Sequence, residues 1–113
     1  MTDHERQAIT AKLVELGLWG TDEPGDPVGD YHDAKTLNAR VGARLAGDVF
    51  VVSTFASSHS SARRVLISQG ERLYPLGAAD NYPESICLAA QTLLQFLEEH
   101  PECAADQERG CKT

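Results

Sequence analysis

The stretch from Asn81 to His100 constrains the fold of this chain most, because it has the pattern of a capped amphipathic helix. Asn81 and Glu84 have the spacing of a capping box, and Pro83 suits the first helical turn, where its missing N–H breaks no hydrogen bond. His100 followed by Pro101 ends the helical pattern. At helical spacing, one face carries the apolar residues Ile86, Ala89, Ala90, Leu93, Leu94, Phe96 and Leu97. We therefore predict a helix that forms part of the core.

The rest of the sequence predicts two more helices and a small sheet. Residues 2–16 and 31–45 have apolar side chains at helical spacing, and the segment between them is a loop rich in acids, glycine and proline. Residues 48–55 and 63–68 are rich in β-branched residues and predict an antiparallel hairpin. Residues 72–76 form either a third strand or the continuation of one long strand past a bulge. We expect an α+β fold in which a small antiparallel sheet of two or three strands packs with three helices.

The length of the chain predicts a single domain. With 113 residues, the chain can form one hydrophobic core but not two. We place the domain at residues 1–100, because residues 101–113 have no periodicity and predict a polar, flexible tail. No apolar run is long enough to span a membrane, and the polar start M-T-D-H-E-R-Q lacks the pattern of a signal peptide. We expect a cytoplasmic protein with no membrane partner.

No motif for catalysis, for a metal or for a cofactor stands out. His59 lies among serines in the predicted hairpin turn, without the G-x-S-x-G elbow that exposes a nucleophilic serine. His100, Cys103 and Cys111 lack the short-spaced ligand pairs of structural zinc sites. The chain has three cysteines, Cys87, Cys103 and Cys111, and this odd number argues against a disulfide framework. We expect a protein that is not an enzyme and has no catalytic residue, no metal and no cofactor.

The charge is unevenly distributed and suggests two candidate surfaces. The net charge is −7, but residues 34–74 carry two acids and six bases. An acidic chain is a poor general binder of nucleic acid, so we expect charged surfaces to contact proteins. The acidic candidate surface consists either of Asp22, Glu23, Asp26 and Asp30 or of Glu98, Glu99 and Glu102. The basic alternative consists of Arg40, Arg44, Arg63, Arg64 and Arg72, unless these residues pair with the flanking acids.

One family resemblance is visible at the start of the C-terminal helix. Residues 29–34, G-D-Y-H-D-A, precede the hairpin, and Ala78-Ala79-Asp80 then leads into residues 83–90. This order resembles the small phage and prophage proteins grouped as the phage ABA-sandwich domain, in which a similar P-x-x-I-C-x-A-A helix start follows a short antiparallel sheet. The resemblance covers about residues 10–98 and implies a phage or mobile-element origin and a helix–sheet–helix layering. It implies no catalytic residue.

Two functional hypotheses follow. By analogy with other small, acidic phage proteins, such as anti-CRISPR proteins, the first is an inhibitor in the cytoplasm of a bacterial host. Its acidic surface would occlude the nucleic-acid site of a host protein, for example a component of a CRISPR effector. The alternative is a binding module that uses the Arg63/Arg64 hairpin on an acidic partner or on nucleic acid. An exposed edge strand and Leu88, on the polar face of the C-terminal helix, also suggest a homodimer.

Overall fold

Among the residues that the structure describes, the fold consists of three α-helices and one three-stranded sheet. The computed structural model describes residues 2–59 and 61–104. The elements follow in the order α1 (Asp3–Glu15), α2 (Tyr31–Gly42), β1 (Val49–Phe55), β2 (Arg63–Gln69), β3 (Arg72–Ala79), α3 (Tyr82–Glu99) and a short 3-10 helix (Pro101–Cys103). The strands are antiparallel and lie in the order β1-β2-β3. The predicted α+β fold is confirmed, and residues 72–76 belong to a separate third strand that extends to Ala79.

Helix α3 lies at the centre of the fold and contacts all three strands and both other helices. Its start is capped as predicted: the Asn81 side chain accepts a hydrogen bond from the Glu84 amide at 3.0 Å and donates one to the Glu84 carboxylate. The side chains of Ile86 and Leu93 are buried in the core. Leu94 was wrongly assigned to the buried face, because it is 46% exposed at the border of the apolar stripe. The position of the C-terminal helix in the core is confirmed.

The loop after α1 is anchored to the core by two apolar residues. Gly17 ends the helix with a φ of 75°, in the left-handed region that favours glycine. The amide of Leu18 then donates to the carbonyl of Leu13 at 2.9 Å, which folds the chain back onto α1. Leu18 and Trp19 are buried. The loop that follows therefore starts at two residues that are packed into the core.

Helix α2 ends at Gly42, earlier than the predicted end at residue 45. Beyond it, Leu45 forms an antiparallel bridge with Ala104, and the amide of Ala46 donates to the carbonyl of Cys103 at 2.8 Å. These contacts divert the chain from the helical path after a residue that already has low helix propensity. They also bury Cys103 and Ala104. The packed structure therefore continues past the boundary that we placed at residue 100, and residues 105–113 of the predicted tail lie outside the described residues.

The described helices lie on one face of the sheet. Val65 and Ile67 of β2 point towards the helices and are buried, whereas Phe50 and Leu73 on the opposite face are each 60% exposed. The helix–sheet–helix layering implied by the family resemblance is therefore not found among residues 2–59 and 61–104. The opposite face also carries Thr54, Arg64 and Ser68, which suit contact with water.

Candidate interaction surfaces

Glu23 and Arg40, which we predicted on opposite candidate surfaces, form an ion pair with each other. Both terminal nitrogens of Arg40 donate to the Glu23 carboxylate, at 2.7 and 2.6 Å, and the Gly20 amide donates to it at 2.9 Å. The hydrogen bond from Arg40, followed by that from Gly20, lowers the pKa of Glu23 to about 2. Arg40 also donates to the Leu18 carbonyl at 3.1 Å and lies 4.9 Å from the Trp19 ring centroid. The pair therefore stabilises the loop after α1.

Two further acids of this loop also have partners within the chain. One carboxylate oxygen of Asp26 accepts hydrogen bonds from the backbone two and three residues ahead, both at 3.1 Å, and the other lies 3.4 Å from Arg6. Asp30 caps α2 by accepting from the Asp33 amide at 3.1 Å. Of the four predicted loop acids, Asp22 alone is exposed with no partner among the described residues. Three of the four loop acids are therefore engaged in holding the loop.

The five arginines of the basic alternative do not share one surface. Arg44 donates to the Gly17 carbonyl at 3.3 Å, so it holds the end of α1 as Arg40 holds the loop that follows. Arg63 and Arg64 begin β2, whereas Arg72 pairs with the last residue of β2, at the opposite end of the sheet. The Tyr74 hydroxyl, and more weakly Glu102, raise the pKa of Arg72. The predicted basic surface is therefore reduced to the start of β2, where Arg63 and Arg64 point to opposite faces of the sheet.

The C-terminal acids lie beside a groove between β3 and α3. Glu98, Glu99 and Glu102 are exposed, and a Glu102 carboxylate oxygen lies 3.6 Å from Nδ1 of His100. The groove has a volume of about 290 Å³ and is lined by Tyr74, Pro75, Leu76, Thr92, Gln95, Phe96, Glu99 and His100. The rings of Tyr74, Phe96 and His100 pack with centroid distances of 4.4 to 5.4 Å. This part of the predicted acidic surface therefore combines acids with aromatic side chains.

Aromatic and basic side chains form a cluster around Arg63. The Arg63 guanidinium lies 4.0 Å from the ring centroid of Phe55 and 5.7 Å from that of Tyr82. Tyr82 packs against Tyr31 at 4.9 Å, and the ammonium of Lys35 lies 5.4 Å from the Tyr31 ring. Burial, and then the neighbouring Tyr31, raise the pKa of Tyr82. We call these residues the Arg63 cluster: Tyr31, Lys35, Phe55, Arg63 and Tyr82.

Hydrogen bonds fix the position of the Arg63 cluster on the fold. Arg63 donates to the Ser53 carbonyl at 3.2 Å, and the Ser53 hydroxyl lies 2.7 Å from that of Ser85 in the first turn of α3. The Ser85 hydroxyl in turn donates to the Tyr82 carbonyl at 2.6 Å. Phe55 and Tyr31 nevertheless remain 62% and 54% exposed. The cluster is therefore anchored by the half-buried Arg63 and Tyr82 and offers two aromatic rings to solvent.

The free edge of β1 lies next to this cluster. The amide of Ala56 donates to the Ala62 carbonyl at 2.9 Å, just beyond the paired strands β1 and β2. This bond shows which residues of β1 form hydrogen bonds with β2 in the antiparallel ladder. Because the ladder alternates, every second residue of β1 turns its N–H and C=O groups away from β2. These outward residues are Val49, Val51, Ser53 and Phe55.

Some of these outward groups have a partner within the chain. The amide of Val49 donates to the Ala46 carbonyl at 3.0 Å, and the Ser53 carbonyl accepts from Arg63. Within residues 2–59 and 61–104, no backbone group bonds to the outward groups of Val51 and Phe55 or to the amide of Ser53. The edge of β1 therefore offers three consecutive outward amides. Leu88, which we took as support for a homodimer, is half-buried, and its Cδ2 lies over Gly77 of β3.

The sequence alone identified Arg63 but missed the aromatic members of its cluster. The predicted hairpin places Phe55 opposite Arg63 across the turn at residues 56–62, so the hairpin register is the signal that could have found Phe55. Tyr31 and Tyr82 lie far apart in sequence and meet because α2 packs on α3. No local pattern in the sequence indicates that contact.

The described residues contain no grouping that suggests a metal site or a membrane span. Within residues 2–59 and 61–104, no three His, Cys, Asp or Glu side chains come together to hold a metal ion, and Cys111 lies outside these ranges. None of the described helices combines the length and apolarity that crossing a bilayer requires. His59 lies in an exposed turn, where its amide donates to the Ser57 hydroxyl at 3.2 Å.

Comparisons of the chain with family models, with curated proteins and with solved structures found no match. The geometry and charge of the surfaces described above are therefore the basis for a functional proposal.

Proposed function

We propose that this chain is a non-enzymatic binding protein that contacts an acidic surface of another protein through the Arg63 cluster. The observation that supports this most is the setting of Arg63. Its guanidinium lies over the ring of Phe55 at 4.0 Å and within 5.7 Å of the Tyr82 ring centroid, and no ion pair among the described residues involves it, although the chain has 17 acids. Arginine beside partly exposed aromatic rings is the side-chain composition typical of binding hot spots.

The charge of the chain favours a protein partner over nucleic acid. Binding to a phosphate backbone depends on several cations that act together, and each contact makes the affinity more dependent on salt. The Arg63 cluster supplies Lys35 and Arg63, whereas Arg64 points to the opposite face of the sheet and the whole chain has a net charge of −7. A patch this small suits one or two carboxylates on a protein better than a continuous run of phosphates.

A second candidate surface is the acidic end of α3. Glu98 and Glu99 are exposed and take part in no ion pair among the described residues, and the groove lined by Tyr74, Phe96 and His100 lies beside them. Such a surface suits a lysine or arginine of a partner, through both charge and cation–π attraction. This second candidate uses acids of our predicted acidic surface that form no ion pair with other described residues.

The family resemblance extends this proposal to a biological role. If the chain derives from a phage or mobile element, its partner is a protein of the bacterial host, and the expected outcome of binding is inhibition. A component of a CRISPR effector is one partner of this kind. This role is supported by analogy of size and charge, and not by any site in the fold.

Affinity capture with matched variants tests the proposal. Bacterial lysate is passed over the immobilised wild-type chain and over the variants Arg63→Ala, Phe55→Ala and Lys12→Ala. Lys12 is an exposed base on α1, away from the Arg63 cluster, so its variant is the control. The proposal predicts an acidic protein that the wild type and the Lys12 variant capture and that both cluster variants lose. Equal capture of every bound protein by all four chains would contradict it.

Two further measurements separate the alternatives. Fluorescence anisotropy with a single-stranded oligonucleotide at low and moderate salt tests nucleic-acid binding. If the chain binds the oligonucleotide through Arg63, and this binding weakens steeply as salt rises, the partner is nucleic acid and not a protein. The double variant Glu98→Lys/Glu99→Lys tests the second surface. If it loses the captured protein while Arg63→Ala retains it, the acidic end of α3 is the binding surface.

A further inference from the structure

We infer that the free edge of β1 binds an extended, acidic segment of a partner protein by strand addition. This inference rests on the proposed function and specifies the shape and charge of the partner. In strand addition, main-chain hydrogen bonds to a sheet edge provide affinity, and pockets for alternate side chains provide specificity. The structure supplies both components at β1.

The backbone component is present at β1 and blocked at the other edge of the sheet. β3 carries Pro75, which pairs with Leu66 next to an irregularity in the ladder between β2 and β3. At this position the backbone N–H would point away from β2, so proline removes a donor from the outer edge of β3. β1 contains neither proline nor a charged residue from Val49 to Phe55. Natural edge strands use these features to prevent pairing, so their absence marks β1 as the edge that can accept another strand.

The side-chain component is a groove between β1 and α2. It has a volume of about 250 Å³ and is lined by Asn38, Gly42, Leu45, Ala46, Gly47, Val49, Phe50 and Val51. Asn38 lines the groove and lies close enough to Tyr82 to oppose the rise of its pKa, so the groove and the Arg63 cluster are adjacent. A strand added to β1 would therefore place one side chain in the groove and another beside Arg63.

The charges around this edge favour an acidic occupant over a second copy of the chain. Lys35 and Arg63 take part in no ion pair among the described residues. A second β1 strand would bring an uncharged segment with no carboxylate for Arg63. An acidic segment supplies a carboxylate to the same guanidinium and pairs with the outward amides of Val51, Ser53 and Phe55.

Binding of short synthetic peptides measured by NMR tests this inference. The probe is a capped peptide that alternates valine and glutamate, and the matched peptide has lysine in place of each glutamate. The glutamate peptide should shift the amide resonances of Val51, Ser53 and Phe55 and bind at least about tenfold more tightly than the lysine peptide. A glutamate peptide with N-methylated central residues, which cannot donate the ladder bonds, should bind at least about tenfold more weakly. Equal binding of all three peptides, or no shift of these amides at the highest soluble concentration, would overturn the inference.

Protein variants separate the mode of binding from the proposed function. Ser53→Pro removes the outward amide and the hydroxyl, whereas Ser53→Ala removes only the hydroxyl that contacts Ser85. We expect the proline variant to bind the glutamate peptide about tenfold more weakly than the alanine variant, provided both spectra are those of a folded protein. If both bind equally while Arg63→Ala binds weakly, strand addition is wrong and the proposed surface stands. If Arg63→Ala binds as tightly as wild type, the proposed function itself is wrong.

Discussion

Arg40 of α2 holds the carboxylate of Glu23 with two hydrogen bonds, at 2.7 and 2.6 Å, and so joins the second helix to the loop after the first. Bidentate guanidinium–carboxylate pairs are among the stronger polar contacts in proteins. This pair adds to the anchoring of the loop by Leu18 and Trp19, which are buried beside it. The burial of Leu18 and Trp19 therefore holds the start of the loop, and the ion pair between Glu23 and Arg40 holds it further along the chain.

The first prediction concerns the dependence of stability on acid. Arg40 lowers the pKa of Glu23 in the folded state from 4.5 to about 2, so the pair stabilises the fold fully above about pH 4.5 and less as the pH falls towards 2. Glu23→Gln should therefore lose less stability than wild type over this interval, although it starts from a lower value at neutral pH. Urea unfolding at a series of pH values measures this. Asp22→Asn, the control, changes an exposed acid without a partner among the described residues, so its free energy of unfolding should fall with pH as steeply as that of the wild type. An equally steep fall in Glu23→Gln would contradict the prediction.

The second prediction concerns the cap of α3. The Asn81 side chain accepts from the Glu84 amide at 3.0 Å, and a capping side chain of this type contributes about 1 kcal/mol to the free energy of unfolding. Asn81→Ala should lower that free energy by about 1 kcal/mol in urea unfolding, and Asn81→Ser, which keeps an acceptor without placing a second carboxylate beside that of Glu84, should lower it much less. Equal losses in the two variants would show that the cap does not stabilise the helix through this hydrogen bond.

The elements that could be predicted from the sequence are those that depend on local interactions. The start and the buried face of α3 follow from residues within a few positions of one another, so capping and periodicity were sufficient. The end of α2 depends instead on contacts of Leu45 and Ala46 with residues near Ala104, and no window on α2 contains that information. Leu94 lies within the predicted stripe but at its border, where its side chain is 46% exposed.

The same distinction applies to the candidate surfaces. Charge counting treated Glu23 and Arg40 as members of opposite surfaces, because their ion pair requires the loop to fold back onto α2. It also grouped Arg63 with Arg72, which strand register places at opposite ends of the sheet, Arg63 in β2 and Arg72 in β3. The sequence thus indicated which side chains are charged, and the fold determined which of them remain available to a partner.

The third prediction concerns two glycines with opposite roles. Gly70 has a φ of 59° in the turn between β2 and β3, whereas Gly42 is the last residue of α2, and a Cβ at either position would meet no atom within 4 Å. Gly70→Ala should therefore lower the free energy of unfolding by about 1 kcal/mol, because a side chain is strained in the left-handed region. Gly42→Ala should raise it by up to about 1 kcal/mol, because alanine favours the helix. Urea unfolding of both variants measures this, and changes of the same sign would contradict the prediction.

The fourth prediction concerns the Cys87 thiol, which is buried on α3 with its Sγ 3.4 Å from the Pro27 carbonyl oxygen. Burial, and then the nearby carboxylates of Asp26 and Glu84, raise the pKa of Cys87 from 9.0 to about 12. Because the thiolate is the reactive form, native protein treated with iodoacetamide at about pH 8 should remain unlabelled at Cys87 in peptide mass mapping. The same treatment in urea should label it, which is the control.

The raised pKa of Cys87 also fixes the sign of an alkaline effect. The folded state binds the thiol proton more tightly than the unfolded state, so this stabilisation is complete below about pH 9 and is lost as the pH rises towards 12. Cys87→Ala removes the titrating group and should lose less stability than wild type between neutral pH and about pH 10, as measured by urea unfolding. Rapid labelling of native Cys87, or a steeper alkaline loss in the alanine variant, would show that the thiol is not held protonated by burial in α3.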